Sequence, residues 1–85
     1  MSLMIRAKVY VTLKRSVLDP QGETVKGALT TLGFGGVQDV RVGKFMVVTL
    51  NGVSREEAAR RVEQMCKKLL ANPVIEDYRF ELEEG

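Results

Sequence analysis

Between Ile5 and Lys14 the chain alternates without a break. Ile5, Ala7, Val9, Val11 and Leu13 fall on one side, and Arg6, Lys8, Tyr10, Thr12 and Lys14 fall on the other. A period of two sustained this long describes a strand with one buried face and one wet face. Asp19 then stands where a helix N-cap belongs, with Pro20 at the first helical position, where a missing N–H costs nothing. Val25, Ala28, Leu29 and Leu32 recur at helical spacing, and Gly33 suits the C-terminal stop. Gly27, inside this helix, costs about 1 kcal/mol relative to Ala; it is read as a tolerated weakness rather than a close backbone approach.

The stretch from Val37 to Leu50 admits two readings. Gly43-Lys44 suits a two-residue hairpin, which would set Val42 opposite Phe45. Parity opposes it: Val40, Val42, Met46, Val48 and Leu50 share even numbering, so a single apolar face survives only if the chain runs on through Gly43 or bends there. An unbroken strand of this length would span about 45 Å at about 3.3 Å per residue. A compact domain of this size has a radius of gyration of about 12 Å, so such a strand would have to reach a second subunit. A bend at Gly43 is favoured, with the strand open to being shared between subunits.

The next helix is announced by Ser54 and Glu57 as a capping box. Ala58, Val62, Met65, Cys66, Leu69 and Leu70 form its apolar stripe, and Glu56–Arg60, Glu57–Arg61 and Glu63–Lys67 are spaced i,i+4 with Glu first. Asn72-Pro73 ends it. A last strand follows, with Val74, Tyr78, Phe80 and Leu82 on one face and Asp77, Arg79, Glu81 and Glu83 on the other. The order β-α-β-(β)-α-β is the α+β, ferredoxin-like pattern of an antiparallel sheet with both helices on one face. First and last strands are then antiparallel neighbours, so Arg6, Lys8 and Lys14 meet Glu81 and Glu83 on the outer face. Tyr10, Phe45 and Val47 add an apolar patch there, the candidate surface for contacts between copies of this chain.

Composition narrows the chemistry. A chain of 85 residues makes one thin-cored domain, for which assembly is a natural expectation. Thirteen basic and eleven acidic residues are interleaved, without the basic stripe of a nucleic-acid binder. Cys66 is the single cysteine, and it sits in the apolar stripe of a chain without histidine, so neither a disulfide nor a Cys–His nucleophile can be built. Glu76-Asp77 and Glu83-Glu84 read as solvated strand-end charges rather than metal ligands. Gly33-Phe34-Gly35-Gly36 leads from helix to strand, the reverse of a phosphate-binding loop. Tyr10 and Phe45 lack the surrounding motif of an RNA-stacking sheet. With no apolar run near 18 residues and no signal-peptide pattern, the expected setting is cytoplasmic, with no membrane and no nucleic acid as partner. Residues 1–3 read as a vector-derived leader ahead of a single domain over 4–83, and Gly85 as a tag remnant.

Val9-Tyr10-Val11-Thr12-Leu13-Lys14, with Val17-Leu18-Asp19-Pro20-Gln21-Gly22 after it, resembles the PurS family, the small subunit of phosphoribosylformylglycinamidine synthase. Asp39-Val40-Arg41-Val42-Gly43-Lys44 and the run from Cys66 through Asn72-Pro73 to Tyr78 agree in order and spacing. Val47-Val48-Thr49 is more apolar than that pattern leads one to expect. The resemblance implies a subunit without catalytic residues, cofactor or metal of its own, in a complex that uses ATP and Mg. The implied partners are a large synthetase and a glutaminase, which the small subunit bridges while supporting ammonia transfer, itself a homodimer or homotetramer. Arg41 and Lys44, beside the bend at Gly43, are the candidate contacts with those partners. The competing reading is a stand-alone ferredoxin-like dimer that senses a small metabolite.

Overall fold

A computed structural model describes residues 4–85, and the expectation about a leader lies outside them. The elements run β1 (Met4–Leu13), α1 (Pro20–Thr31), β2 (Gly43–Asn51), α2 (Arg55–Met65), a π-helical turn (Cys66–Leu70) and β3 (Glu76–Glu84). The strands form one antiparallel sheet in the order β2-β1-β3. This is the expected α+β, ferredoxin-like arrangement, with three strands.

β1 is central, and its alternation is realised residue by residue: Ile5, Ala7, Val9 and Val11 are fully buried. Leu50, Val48 and Met46 of β2 lie opposite Ile5, Ala7 and Val9, and Leu82, Phe80 and Tyr78 of β3 lie opposite Ala7, Val9 and Val11. One sheet face is therefore apolar across all three strands, and Val62 and Cys66 close over it. The parity argument holds for Met46, Val48 and Leu50, and no hairpin forms at Gly43: β2 begins there, pairing with Thr12, and runs to Asn51. A Cβ at Gly43 would overlap the Val11 carbonyl and come within 2.7 Å of Thr12 Cγ2, so the strand can enter the sheet only on a glycine. Val40 and Val42 belong to an irregular segment before the strand rather than to the sheet.

Both helix starts are capped as the side chains predict. Asp19 Oδ1 accepts from the Gly22 N–H at 2.9 Å and Ser54 Oγ from the Glu57 N–H at 3.1 Å. The reciprocal half of the capping box is absent, because the Glu57 carboxylate turns instead to Arg60 at 2.6 Å and Arg61 at 3.0 Å. These two cations hold its pKa below the usual carboxylate range, Arg60 contributing more. α1 ends in a Schellman arrangement: Gly33 (φ 96°) donates to the Thr30 carbonyl and Phe34 to that of Leu29. A Cβ on Gly27 would meet nothing within 4 Å, which supports the reading of a tolerated weakness.

Three further local expectations fail. Leu69 does not continue the α2 stripe. The π turn, closed by the Ala71 N–H on the Cys66 carbonyl at 3.0 Å, inserts an extra residue and rotates the stripe, leaving Leu69 82% exposed while Leu70 and Ala71 turn inward. Val74 is also outside the sheet face, since Asn72 and Pro73 open a turn and β3 starts only at Glu76. In that turn Asn72 Oδ1 accepts from the Val74 N–H at 3.1 Å.

The third concerns α1, which does not cover the sheet. None of its apolar side chains joins the core: Leu32 is 72% exposed, Val25 and Ala28 are exposed, and only Gly22 is buried. Among the described residues the covering layer comes from α2 and the π turn with the residues that flank them, Val53 and Ala71. The molecule is accordingly drawn out to 53 × 27 × 14 Å with a radius of gyration of 16.6 Å, well above the compact value.

Candidate interaction surfaces

The end of the sheet where β1 stops and β2 starts gathers the most polar order. Arg41 Nη2 donates to the carbonyls of Lys14 (2.6 Å), Val17 (3.0 Å) and Leu13 (3.2 Å), stitching the turn after β1 to the segment before β2. Asp19, only 3% exposed, accepts from two backbone N–H groups at once, Gly22 on Oδ1 and Val42 on Oδ2, the latter at 2.7 Å. These bonds, Gly22 first, hold its carboxyl below the ordinary carboxylate pKa. Lys44 takes a separate path, its Nζ lying 3.6 Å from Glu76 Oε2 across a cleft of about 240 Å³ that Asp19, Val42 and Gly43 also line. Arg41 and Lys44 are thus neighbours in sequence but not a joint cationic patch: one grips backbone, the other stands 57% exposed at the cleft rim.

The outer sheet face brings Tyr10 and Phe45 together as cross-strand partners, ring centroids 5.1 Å apart and tilted by 40°. Val47, opposite Lys8, extends the patch and is 51% exposed. Sequence reasoning missed Arg79, whose guanidinium sits 4.0 Å above the Tyr10 ring. Its position directly across from Tyr10 follows only from the β1–β3 register. The surrounding charges neutralise one another: Glu83 binds Lys8 at 2.6 Å and Arg6 at 3.1 Å, and Glu81 binds Arg79 at 3.0 Å. Lys8, chiefly through its bond to Glu83, is raised above the usual lysine pKa, and Glu83 is lowered. An aromatic centre inside a compensated rim presents area for contact at little desolvation cost.

Exposed apolar side chains recur where α1 leaves the sheet. Leu18 is 74% and Val74 80% exposed, and the Lys14 N–H bonds to the Ile75 carbonyl at 2.9 Å, so the two turns carrying them are adjacent. Cys66 is buried, and burial, with Glu63 second, pushes its thiol pKa up, the opposite of a nucleophile's need. Among the described residues no three His, Cys, Asp or Glu side chains are placed to hold a metal ion.

Comparison with known proteins places these surfaces in a family. The family model described as PurS, phosphoribosylformylglycinamidine (FGAM) synthase, matches residues 6–84. The phosphoribosylformylglycinamidine synthase subunit PurS of Bacillus subtilis is 54% identical over 81 residues, covering 95% of each chain. That of Methanocaldococcus jannaschii is 44% identical, covering 95% of this chain and 98% of the relative. Among solved structures, Thermus thermophilus PurS superposes with a TM-score of 0.84 at 40% identity, covering 96% of this chain and 98% of that one. A chain of the structure of PurLQS from Thermotoga maritima superposes with a TM-score of 0.82 at 30% identity, with the same coverage. The alternation of β1 from Arg6 onward, the Asp19-Pro20 cap and the Asn72-Pro73 turn all fall inside the matched span, and the chain belongs to the PurS family of phosphoribosylformylglycinamidine synthase subunits.

Proposed function

We propose that this chain serves phosphoribosylformylglycinamidine synthase as architecture rather than as chemistry. As a PurS-family member it is a subunit of that ligase complex of purine biosynthesis. The observation that carries the reading is the match over residues 6–84, together with a near-complete superposition on a chain of a PurLQS assembly. In the complex a glutaminase releases ammonia from glutamine. A synthetase, using ATP and Mg, phosphorylates the formamide oxygen of its ribonucleotide substrate, and ammonia displaces the phosphate. The small subunit bridges the two and supports passage of the ammonia, in the cytoplasm. Ammonia is nucleophilic only while unprotonated and is lost through any open path, so excluding water at a subunit junction is itself a contribution to the reaction.

The chain also assembles with itself. Support comes from the uncovered stripe of α1, the unpaired outer edge of β2 and the irregular segment 37–42, which together leave a thin core incomplete. In a homodimer each copy lends its α1 and the residues after it to the other, completing the sheet at β2. The Tyr10–Phe45–Val47 patch serves further association toward a tetramer, and Lys44, at the cleft rim, contacts a larger subunit. Mixing this chain with a synthetase and a glutaminase that lack their small subunit tests the reading. Glutamine-dependent formation of the amidine should appear only when all three are present, and turnover by the two large subunits alone at the same rate would overturn it.

A further inference from the structure

α1 leaves the sheet in a defined direction although no apolar side chain of it packs on the core. Something other than packing must set that direction, and the contacts at the base of the 20–42 excursion supply it. Asp19 binds the N–H of Gly22 at the start of the excursion and that of Val42 at its end. Arg41 binds three carbonyls of the turn that precedes it. Gly22 lies so close to Val40 that a Cβ there would overlap the Val40 carbonyl. Entry and exit of the arm are therefore clamped together by polar bonds and one glycine contact, all at a single point.

We infer that this Asp19–Gly22–Arg41 latch is the element that aims the α1 arm outward, so that its apolar stripe is offered to a second copy instead of folding back over its own sheet. The chemistry suits a latch. Arg41 reaches all three carbonyls through one terminal nitrogen, Nη2, and the Nζ of a lysine, on a side chain one bond shorter, falls short of that point. Every bond of the clamp joins a side chain to a backbone group, and none involves an apolar side chain of the α1 stripe. The arm is thereby aimed before any partner arrives, which reduces the ordering cost of association. The inference rests on the self-assembly proposed above and adds the residues that determine its geometry.

The test uses the full chain and three variants: Arg41→Met, which removes the guanidinium; Arg41→Lys, which keeps the charge on a shorter side chain; and Gly22→Ala, which wedges the clamp open and removes no charged group. Amide exchange by mass spectrometry reports α1 and the sheet separately, and light scattering over a concentration series reports the dimer. The expected result is exchange in α1 faster by about tenfold or more, the effect of losing one charge-assisted bond, with β1 unchanged. The dimer dissociation constant should weaken by a similar factor, and the lysine variant should behave as the methionine one does. Unchanged α1 exchange in both Arg41→Met and Gly22→Ala would overturn the latch, as would full rescue by lysine. A wild-type chain that stays monomeric at every concentration would instead refute the self-assembly reading, leaving α1 exchange to judge the latch alone.

Discussion

The π turn at Cys66–Leu70 makes a prediction that separates the structure from the helical periodicity of the sequence. If α2 ran on unchanged, Leu69 would be a core residue, and Leu69→Ala would cost about 2–5 kcal/mol. In the structure Leu69 is 82% exposed. Full burial of a leucine is worth about 2–3 kcal/mol, so the remaining fifth amounts to about 0.5 kcal/mol, partly offset by the helix propensity of alanine. Val62, fully buried on the same helix, loses two methyl groups in Val62→Ala. That is about 1.6 kcal/mol of transfer free energy, and the cavity raises it to about 2 kcal/mol or more. Urea unfolding of both variants and the wild type, followed by circular dichroism at several protein concentrations, gives the comparison. Val62→Ala should lower stability at all concentrations, and Leu69→Ala should leave the low-concentration limit unchanged. A concentration-independent loss of about 2 kcal/mol or more for Leu69→Ala would refute the rotated stripe.

Two glycines should respond in opposite directions. Gly27→Ala, with open space around the new methyl, should stabilise α1 by about 1 kcal/mol, visible as slower amide exchange there. Gly43→Ala, driven against the Val11 carbonyl, should cost about 1–3 kcal/mol in urea unfolding. For acid, the sign follows from depressed carboxyls: Asp19, through the Gly22 and Val42 N–H groups, and Glu83, through Lys8 and then Arg6, both titrate below their unfolded values in the native chain. Their stabilisation is complete above about pH 4, the ordinary carboxylate value, and is lost as pH falls through the native pKa. Thermal melts from pH 7 down to pH 2 should therefore be flat and then decline, and Asp19→Asn should shrink the decline. Cys66 should resist alkylation at pH 7 until urea exposes it, because burial and Glu63 both disfavour its thiolate; native-state labelling at the rate of a free thiol would contradict this placement.

Arg41 shows where legibility stopped. In the sequence it is one cation beside a glycine, open to partners. In the fold its acceptors are carbonyls 24 to 28 residues earlier, and backbone carbonyls leave no trace in side-chain identity. Arg79 over Tyr10 was missed for a related reason: either residue alone reads as ordinary surface, and only the register of β1 against β3 sets one over the other.

Side-chain periodicity and local capping chemistry are properties of neighbouring residues, so the chain alone determined its strand β1, the caps at Asp19 and Ser54, the inward faces of β2 and β3, and the α+β order. The motif blocks likewise determined the family. The tertiary structure decided what depends on groups far apart along the chain: that β2 begins at Gly43 because only a glycine clears the Val11 carbonyl, and that α1 stands away from the core. It also decided that a π turn sends Leu69 outward. Each of these outcomes turns on contacts with backbone groups, and those groups are the same at nearly every residue and so cannot be read from the order of side chains.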